Sequence, residues 1–303
     1  MKTAIVIDNA GYLSEEEVKK LNIAKVVPIS FIVNGEEYYQ DVNMTYDQFY
    51  KFLEDKNTSV STSQPSIEFV KEAWREVLKD NDEIIYIPLS SGLSEACNSA
   101  LNASREEEFI DRVYVANNQR VSFMNKFSIY EARCLVDEGK TAKEIKAYLE
   151  EVRGECGAYI AVDDIAYLKK GGRVTPAAAA IATILHIKPI LQVHGGKLDA
   201  YGKIMSMKLA KNKLITATRK EVEDRFSEEY KQGKIVFSVI HTNPNINSPE
   251  IEKFKNEVSE QLSNMRLFST DPLPLFVACH TGPGTLAVGY CVDRLGVMEK
   301  YCK

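Results

Sequence analysis

The stretch EIIYIPLSSGLSEACNSA, residues 83–100, joins an apolar run to a loop of hydroxyl groups. The run at 83–89 predicts a buried β-strand, and the residues that follow the loop predict a helix. The first N–H groups of a helix lack intrahelical acceptors and lie at the positive end of its dipole. The loop, which contains Ser91 and Ser94, is therefore a candidate anion site. A second interpretation stays open, because Ser94 as a helix N-cap would need no ligand.

Two further segments carry polar groups that suit an anion. STSQPS, residues 61–66, places Thr62 and Ser63 just ahead of a helix that Ser66 would cap. A turn without a ligand explains this loop equally well, since hydroxyl residues and proline are typical of turns. HTGPG, residues 280–284, adds an imidazole next to glycines that permit unusual backbone angles. If both hydroxyl loops follow parallel strands, they lie at the edge where open α/β sheets bind ligands.

Strand and helix patterns alternate through the first half of the chain. Four apolar runs predict strands, at residues 3–7, 26–29, 84–89 and 112–115. Three capping boxes mark helix starts, at Ser14, Thr45 and Thr141. Alternation at this spacing is typical of βαβ units, so we expect a mainly parallel sheet.

The pattern changes beyond residue 155. Predicted strands lie at residues 158–162, 188–193, 197–205, 234–241, 275–280 and 285–292, and helices at 209–230 and 249–263. Gly195 and Gly196 predict the turn of a hairpin. We therefore expect an α/β protein of two domains. Residues 1–155 form the parallel-sheet domain with the hydroxyl-rich loops, and residues 156–303 form a mixed α/β domain.

The composition restricts the class of protein. The 303 residues carry a net charge of −5, which argues against a nucleic-acid-binding surface. No apolar run approaches the roughly 20 residues that span a bilayer, and the apolar N-terminal run is too short for a signal peptide. The six cysteines are scattered and the four histidines form no metal-ligand pattern. We expect a cytoplasmic protein with reduced cysteines, no metal and no cofactor.

Five motifs together resemble the DegV family, bacterial proteins that bind fatty acids. They are STSQPS at 61–66, SSGLS at 90–94, LKKGGRV at 168–174, IKPIL at 187–191 and HTGPG at 280–284. They occur in the family's order and span nearly the whole chain. This chain has Glu95-Ala96-Cys97 where the family usually has Gly-Thr-Tyr. The resemblance implies a two-domain DegV-like fold with the ligand between the domains.

The resemblance also implies roles for individual residues. A fatty-acid carboxylate is expected at the hydroxyl loops and the histidine motif, with Thr62, Ser63, Ser91, Ser94, His280 and Thr281 as its ligands. An anion beside His280 would favour the charged imidazole. The glycine-containing turn around Arg173 is expected at the surface and is implied to contact a partner kinase.

The function that the resemblance implies is binding rather than catalysis. The protein is expected to hold a long-chain fatty acid and to present its carboxylate to a separate ATP-dependent fatty acid kinase, with transient contact to a membrane surface. A serine hydrolase that acts on a lipid or acyl ester, with Ser91 or Ser94 and His280, is the alternative. The chain has no G-x-S-x-G elbow, which disfavours that alternative. A regulator without a ligand also stays open.

Overall fold

The computed structural model describes residues 1–55, 57–181, 187–194, 196–245 and 248–302, and these residues form three sheets with helices packed around them. The strands are β1 (Thr3–Asp8), β2 (Ile23–Val27), β3 (Ser30–Val33), β4 (Glu36–Tyr38), β5 (Val60–Ser63), β6 (Glu83–Ile87), β7 (Val113–Val115), β8 (Cys156–Ala161), β9 (Lys188–Val193), β10 (Asp199–Ile204), β11 (Ile235–His241), β12 (Arg266–Pro272) and β13 (Leu286–Val292). The helices are α1 (Glu15–Lys20), α2 (Tyr46–Leu53), α3 (Ile67–Val77), α4 (Ala96–Ala103), α5 (Phe123–Asp137), α6 (Ala142–Glu151), α7 (Ile165–Gly171), α8 (Pro176–Ile181), α9 (Met207–Arg225), α10 (Ser227–Lys231), α11 (Pro249–Gln261), α12 (Leu275–Thr281) and α13 (Val297–Tyr301).

The first sheet is parallel, with the strand order β2-β1-β6-β7. Its register pairs Ile5 with Ile23 on one side and with Ile85 on the other. Helices cover both faces, which is why β6 is apolar almost throughout and buried along its whole length. On one face Trp74 of α3 packs edge-on against Tyr86, with 5.6 Å between ring centroids. The predicted parallel sheet is confirmed.

The second sheet is mixed, with the order β10-β9-β8-β13-β11-β12. Its neighbouring strands run antiparallel except for the parallel pair β11 and β12. Every strand of this sheet lies after residue 155, and the mixed α/β character predicted for the second half is confirmed. The domain boundary at 155/156 itself stays a prediction.

A small antiparallel sheet, β4-β3-β5, joins the two halves. Together with α2 it packs on the segment that leads into α12. The Tyr46 hydroxyl donates to the Leu273 carbonyl at 3.2 Å, and the Leu275 N–H donates to the Gln40 side chain at 2.8 Å. The sheet therefore holds β5 against α12, which matters for the site described below.

Most local predictions from the sequence are confirmed. All three capping boxes form, with the side chains of Ser14, Thr45 and Thr141 each accepting from the N–H three residues later. Ser66 caps α3 in the same way. β9 and β10 pair as the two arms of a hairpin, while Gly195 of the predicted turn lies outside the described residues.

Two predictions of local structure are wrong. Residues 275–280, predicted as a strand, form helix α12, because a short buried apolar run does not distinguish a strand from a buried helix. Residues 61–63, predicted as a loop after a parallel strand, belong to β5 of the antiparallel sheet. The second hydroxyl segment therefore does not lie at the carboxyl edge of the parallel sheet.

Candidate functional site

A cavity of about 360 Å³ lies between the parallel sheet and the mixed sheet. Its volume is in the range of small-molecule sites, which is roughly 300–1,000 Å³. Apolar side chains from both halves form most of its wall, among them Leu89, Phe123, Ile160, Val193, Ile240 and Phe276. Such a wall suits an apolar ligand, because burying apolar surface is favourable.

A histidine and a threonine meet at the polar part of the wall. Nε2 of His280 lies 3.0 Å from Oγ1 of Thr62, although the two residues are 218 positions apart in the chain. β5 supplies Thr62 and the last turn of α12 supplies His280. Gly171 faces the same imidazole, and a Cβ at this position would lie 2.7 Å from Nδ1 of His280. The close approach therefore requires glycine at the end of α7.

The pKa of His280 is lowered to about 4, first by burial and second by the positive charge of Arg173. The imidazole is therefore neutral at neutral pH and hydrogen-bonds to Thr62 without a charge. An anion placed between His280 and Arg173 would offset the second cause and raise this pKa.

Arg173 lines the cavity, and the prediction that it lies in an exposed turn is wrong. Its side chain is partly buried. The guanidinium turns inward because Nη1 donates to the Gly171 carbonyl at 2.7 Å and Nε donates to the Leu93 carbonyl at 3.3 Å. Its Nη2 has no hydrogen-bond partner in the described part of the chain. The cavity wall therefore contains the positive charge of Arg173, and its Nη2 is available to donate hydrogen bonds to a ligand.

Of the four other predicted ligands, three line the cavity and one does not. Ser63, Ser94 and Thr281 line it, whereas Ser91 is not among its lining residues. Ser94 is not the N-cap of α4, a position that Glu95 occupies, but its Oγ accepts from the Ala96 N–H at 3.2 Å.

Thr281 is 3% exposed, and its Oγ1 has no partner among the described residues. A buried hydroxyl without a hydrogen bond costs about 1–3 kcal/mol. A ligand oxygen at this place would remove that cost.

Two residues of the wall were missed by the sequence analysis. Glu95 is exposed, and its carboxylate accepts from the Asn98 side chain at 2.9 Å. Ser122 lies between β7 and α5 and lines the cavity. Ser122 lies between a strand and a helix, as Ser94 does. This shared order is the signal in the sequence that could have identified Ser122 as a residue of the site.

A serine hydrolase needs a serine hydroxyl hydrogen-bonded to the histidine, and His280 has a different partner. The residue hydrogen-bonded to His280 is Thr62, while Ser94 bonds to backbone. Cys279 is buried, and burial raises the pKa of its thiol, which disfavours the nucleophilic thiolate. Within the described ranges, no His, Cys, Asp and Glu side chains gather in a group of three or more that could hold a metal ion. The described helices include none with the length and apolar character that crossing a membrane requires.

Comparison with known proteins places the chain in a family. The model of the family described as "Uncharacterised protein, DegV family" matches residues 2–293. A DegV domain-containing protein of Staphylococcus aureus is 30% identical over 288 residues, which is 95% of this chain and 98% of that protein.

Two solved structures share the fold over nearly their whole length. A DegV family protein from Thermus thermophilus, described by its fatty acid binding, has a TM-score of 0.83 and 26% identity, with coverage of 96% of this chain and 100% of that one. DegV of Bacillus subtilis, described as a fatty acid binding protein, has a TM-score of 0.80 and 26% identity, with coverage of 96% and 99%. With the family match over residues 2–293, these likenesses establish that the chain belongs to the DegV family.

Proposed function

We propose that this protein binds a long-chain fatty acid, with the acyl chain in the cavity and the carboxylate beside Thr62, His280 and Arg173. The observation that carries the proposal is the pairing of Thr62 with His280, next to an inward-turned guanidinium, in a wall that is otherwise mostly apolar. The fatty acid binding described for the Thermus thermophilus and Bacillus subtilis proteins supports it.

The expected free energies of burying the carboxylate and the acyl chain are consistent with this arrangement. Burying a carboxylate costs several kcal/mol even after the protein relaxes. Hydrogen bonds to a charged group contribute about 1.5–3 kcal/mol each, so Arg173 and two or three neutral donors offset that cost. The hydroxyls of Thr62, Ser94 and Thr281 line the cavity and are the available neutral donors. The acyl chain then supplies the net affinity, at about 0.8 kcal/mol for each buried CH₂.

Protein expressed in a bacterium is expected to copurify with a long-chain fatty acid. Native mass spectrometry, followed by organic extraction, measures the mass and identity of the bound molecule. A protein that carries no fatty acid and also binds none over a range of chain lengths would contradict the proposal. Turnover of a test ester by the purified protein would instead support the hydrolase.

The second part of the proposal concerns the fate of the ligand. The protein presents the bound carboxylate to a separate ATP-dependent fatty acid kinase, which forms the acyl-phosphate. The location is cytoplasmic, and contact with a membrane surface is transient. All six cysteines are free, which is consistent with a reducing compartment.

Arg173 tests this handover. Arg173→Ala is expected to reduce acyl-phosphate formation by about tenfold or more when the cognate kinase and ATP are added, even at saturating fatty acid. Saturation separates the two roles, since a residue that only holds the ligand would recover its full rate. Lys170→Ala removes an exposed positive charge three residues away and is the matched control, because it is expected to keep wild-type fatty-acid binding. Acyl-phosphate formation at the wild-type rate by Arg173→Ala would exclude a role of Arg173 in handover.

A further inference from the structure

Ser122 has an unusual backbone at the wall of the cavity. Its φ of 54° and ψ of −139° lie in a region that residues other than glycine rarely adopt, and such conformations cost about 1–3 kcal/mol. The surroundings hold it there, since its N–H donates to the Ala10 carbonyl at 2.9 Å and its carbonyl accepts from the Lys126 N–H at 3.0 Å. Ser122 lines the cavity in this conformation.

Ser122 carries a hydroxyl group that has no protein hydrogen-bond partner in the described part of the chain. The residue is 7% exposed, and its Oγ makes no hydrogen bond to any described residue, not even as a cap of α5. α5 spans 15 residues, and its first two, Phe123 and Met124, also line the cavity. The first N–H groups of a helix have no intrahelical acceptor. An unsatisfied hydroxyl and the donor end of a long helix therefore meet at one part of an apolar wall.

The start of α5 and the end of α12 contact different positions at β13. Phe123 packs on Gly289 of β13, where an added Cβ would lie 2.3 Å from its ring. Leu286, at the other end of the same stretch of β13, follows Thr285, whose hydroxyl donates to the Thr281 carbonyl at 3.0 Å. Leu286 and Gly289 are three positions apart along the strand, a length of about 10 Å.

We propose that Ser122 and the N-terminus of α5 form a second polar subsite for a hydroxyl group on the acyl chain, so that the ligands include hydroxy fatty acids. The inference rests on the proposed function. A ligand hydroxyl oxygen accepts from the helix N–H groups, and its O–H donates to Oγ of Ser122. Both contacts give protein polar groups a hydrogen-bond partner inside a mostly apolar cavity. An unsubstituted chain leaves them unsatisfied.

The test compares octadecanoic acid with its monohydroxy derivatives, with the hydroxyl near the head, at mid-chain and near the tail. Calorimetric titration of delipidated wild-type protein is expected to find one positional isomer that binds at least as tightly as the unsubstituted acid. Ser122→Ala is expected to weaken that isomer about tenfold and to leave octadecanoic acid unchanged. Thermal melts of both proteins control for folding.

Three results would overturn the inference. The first is that every hydroxy isomer binds to the wild type more weakly than octadecanoic acid does. The second is that Ser122→Ala weakens the binding of both kinds of ligand equally, and the third is that Ser122→Ala changes the affinity for neither ligand. If Ser122→Ala does not fold, Ser122→Gly, which relieves the positive φ, replaces it with the same expected loss. Failure of the wild type to bind even octadecanoic acid is a different outcome, since it contradicts the proposed function and removes the inference with it.

Discussion

Replacement of either partner in the Thr62–His280 pair is expected to weaken fatty-acid binding by about 1.5–3 kcal/mol, the usual effect of losing a hydrogen bond to a charged group. Thr62→Val keeps the shape of the side chain and removes only the hydroxyl, and His280→Ala removes the imidazole. Ser94→Ala is expected to act in the same direction, because Ser94 also lines the cavity. Titration of delipidated protein with a long-chain fatty acid measures each loss.

Ser66→Ala is the matched control for these variants. Ser66 lies in the same segment as Thr62, but its hydroxyl accepts from the Phe69 N–H at 3.2 Å as the cap of α3 and does not line the cavity. The variant is expected to lose about 1 kcal/mol of stability and none of the affinity. Wild-type affinity in folded Thr62→Val, His280→Ala and Ser94→Ala would place the carboxylate elsewhere.

Lys126→Met is expected to lower the free energy of unfolding by about 3–5 kcal/mol, because it leaves a buried charge without its partner. Lys126 is 4% exposed, and its ammonium lies 2.7 Å from Glu17 and 3.2 Å from Asp271. Burial disfavours the charge on Lys126, but the two carboxylates outweigh burial and raise its pKa. Burial raises the pKa of Asp271 in spite of Lys126. The three side chains tie α1 and α5 to β12 of the mixed sheet.

Urea unfolding of delipidated protein measures this loss, since a bound fatty acid would add stability of its own. Lys300→Met is the control, because Lys300 pairs with Glu138 at 2.9 Å at the surface, where both side chains are more than 40% exposed. Exposed pairs contribute about 0–1 kcal/mol. Equal losses in the two variants would show that the buried cluster does not connect the two halves as described.

Local features were predictable from the sequence, and features that depend on distant contacts were not. The capping boxes at Ser14, Thr45 and Thr141 involve residues three positions apart, so the sequence contains all their information. The inward direction of Arg173 depends on the carbonyl of Leu93, 80 positions away. From the sequence alone, a turn with several basic residues is therefore predicted to be exposed to solvent.

The candidate site shows the same division. Thr62, Ser94 and His280 were found from loops and motifs, and the structure places all three at one cavity. Their partners were not predictable, because the Thr62–His280 contact requires the small sheet to hold β5 against α12. The positive φ of Ser122 is likewise imposed by packing, since serine has no preference for that conformation.

The most direct test of the account is the carboxyl signal of a bound fatty acid labelled with ¹³C at its carboxyl carbon. We expect one NMR resonance in slow exchange that stays at the carboxylate position as the pH is lowered through the range where the free acid titrates, because Arg173 and the neighbouring donors stabilise the anion. Thr62→Val and His280→Ala are expected to shift this resonance, and Ser66→Ala is expected to leave it unchanged. A carboxyl group that titrates like the free acid, or a resonance that none of these variants moves, would contradict a carboxylate held by Thr62, His280 and Arg173.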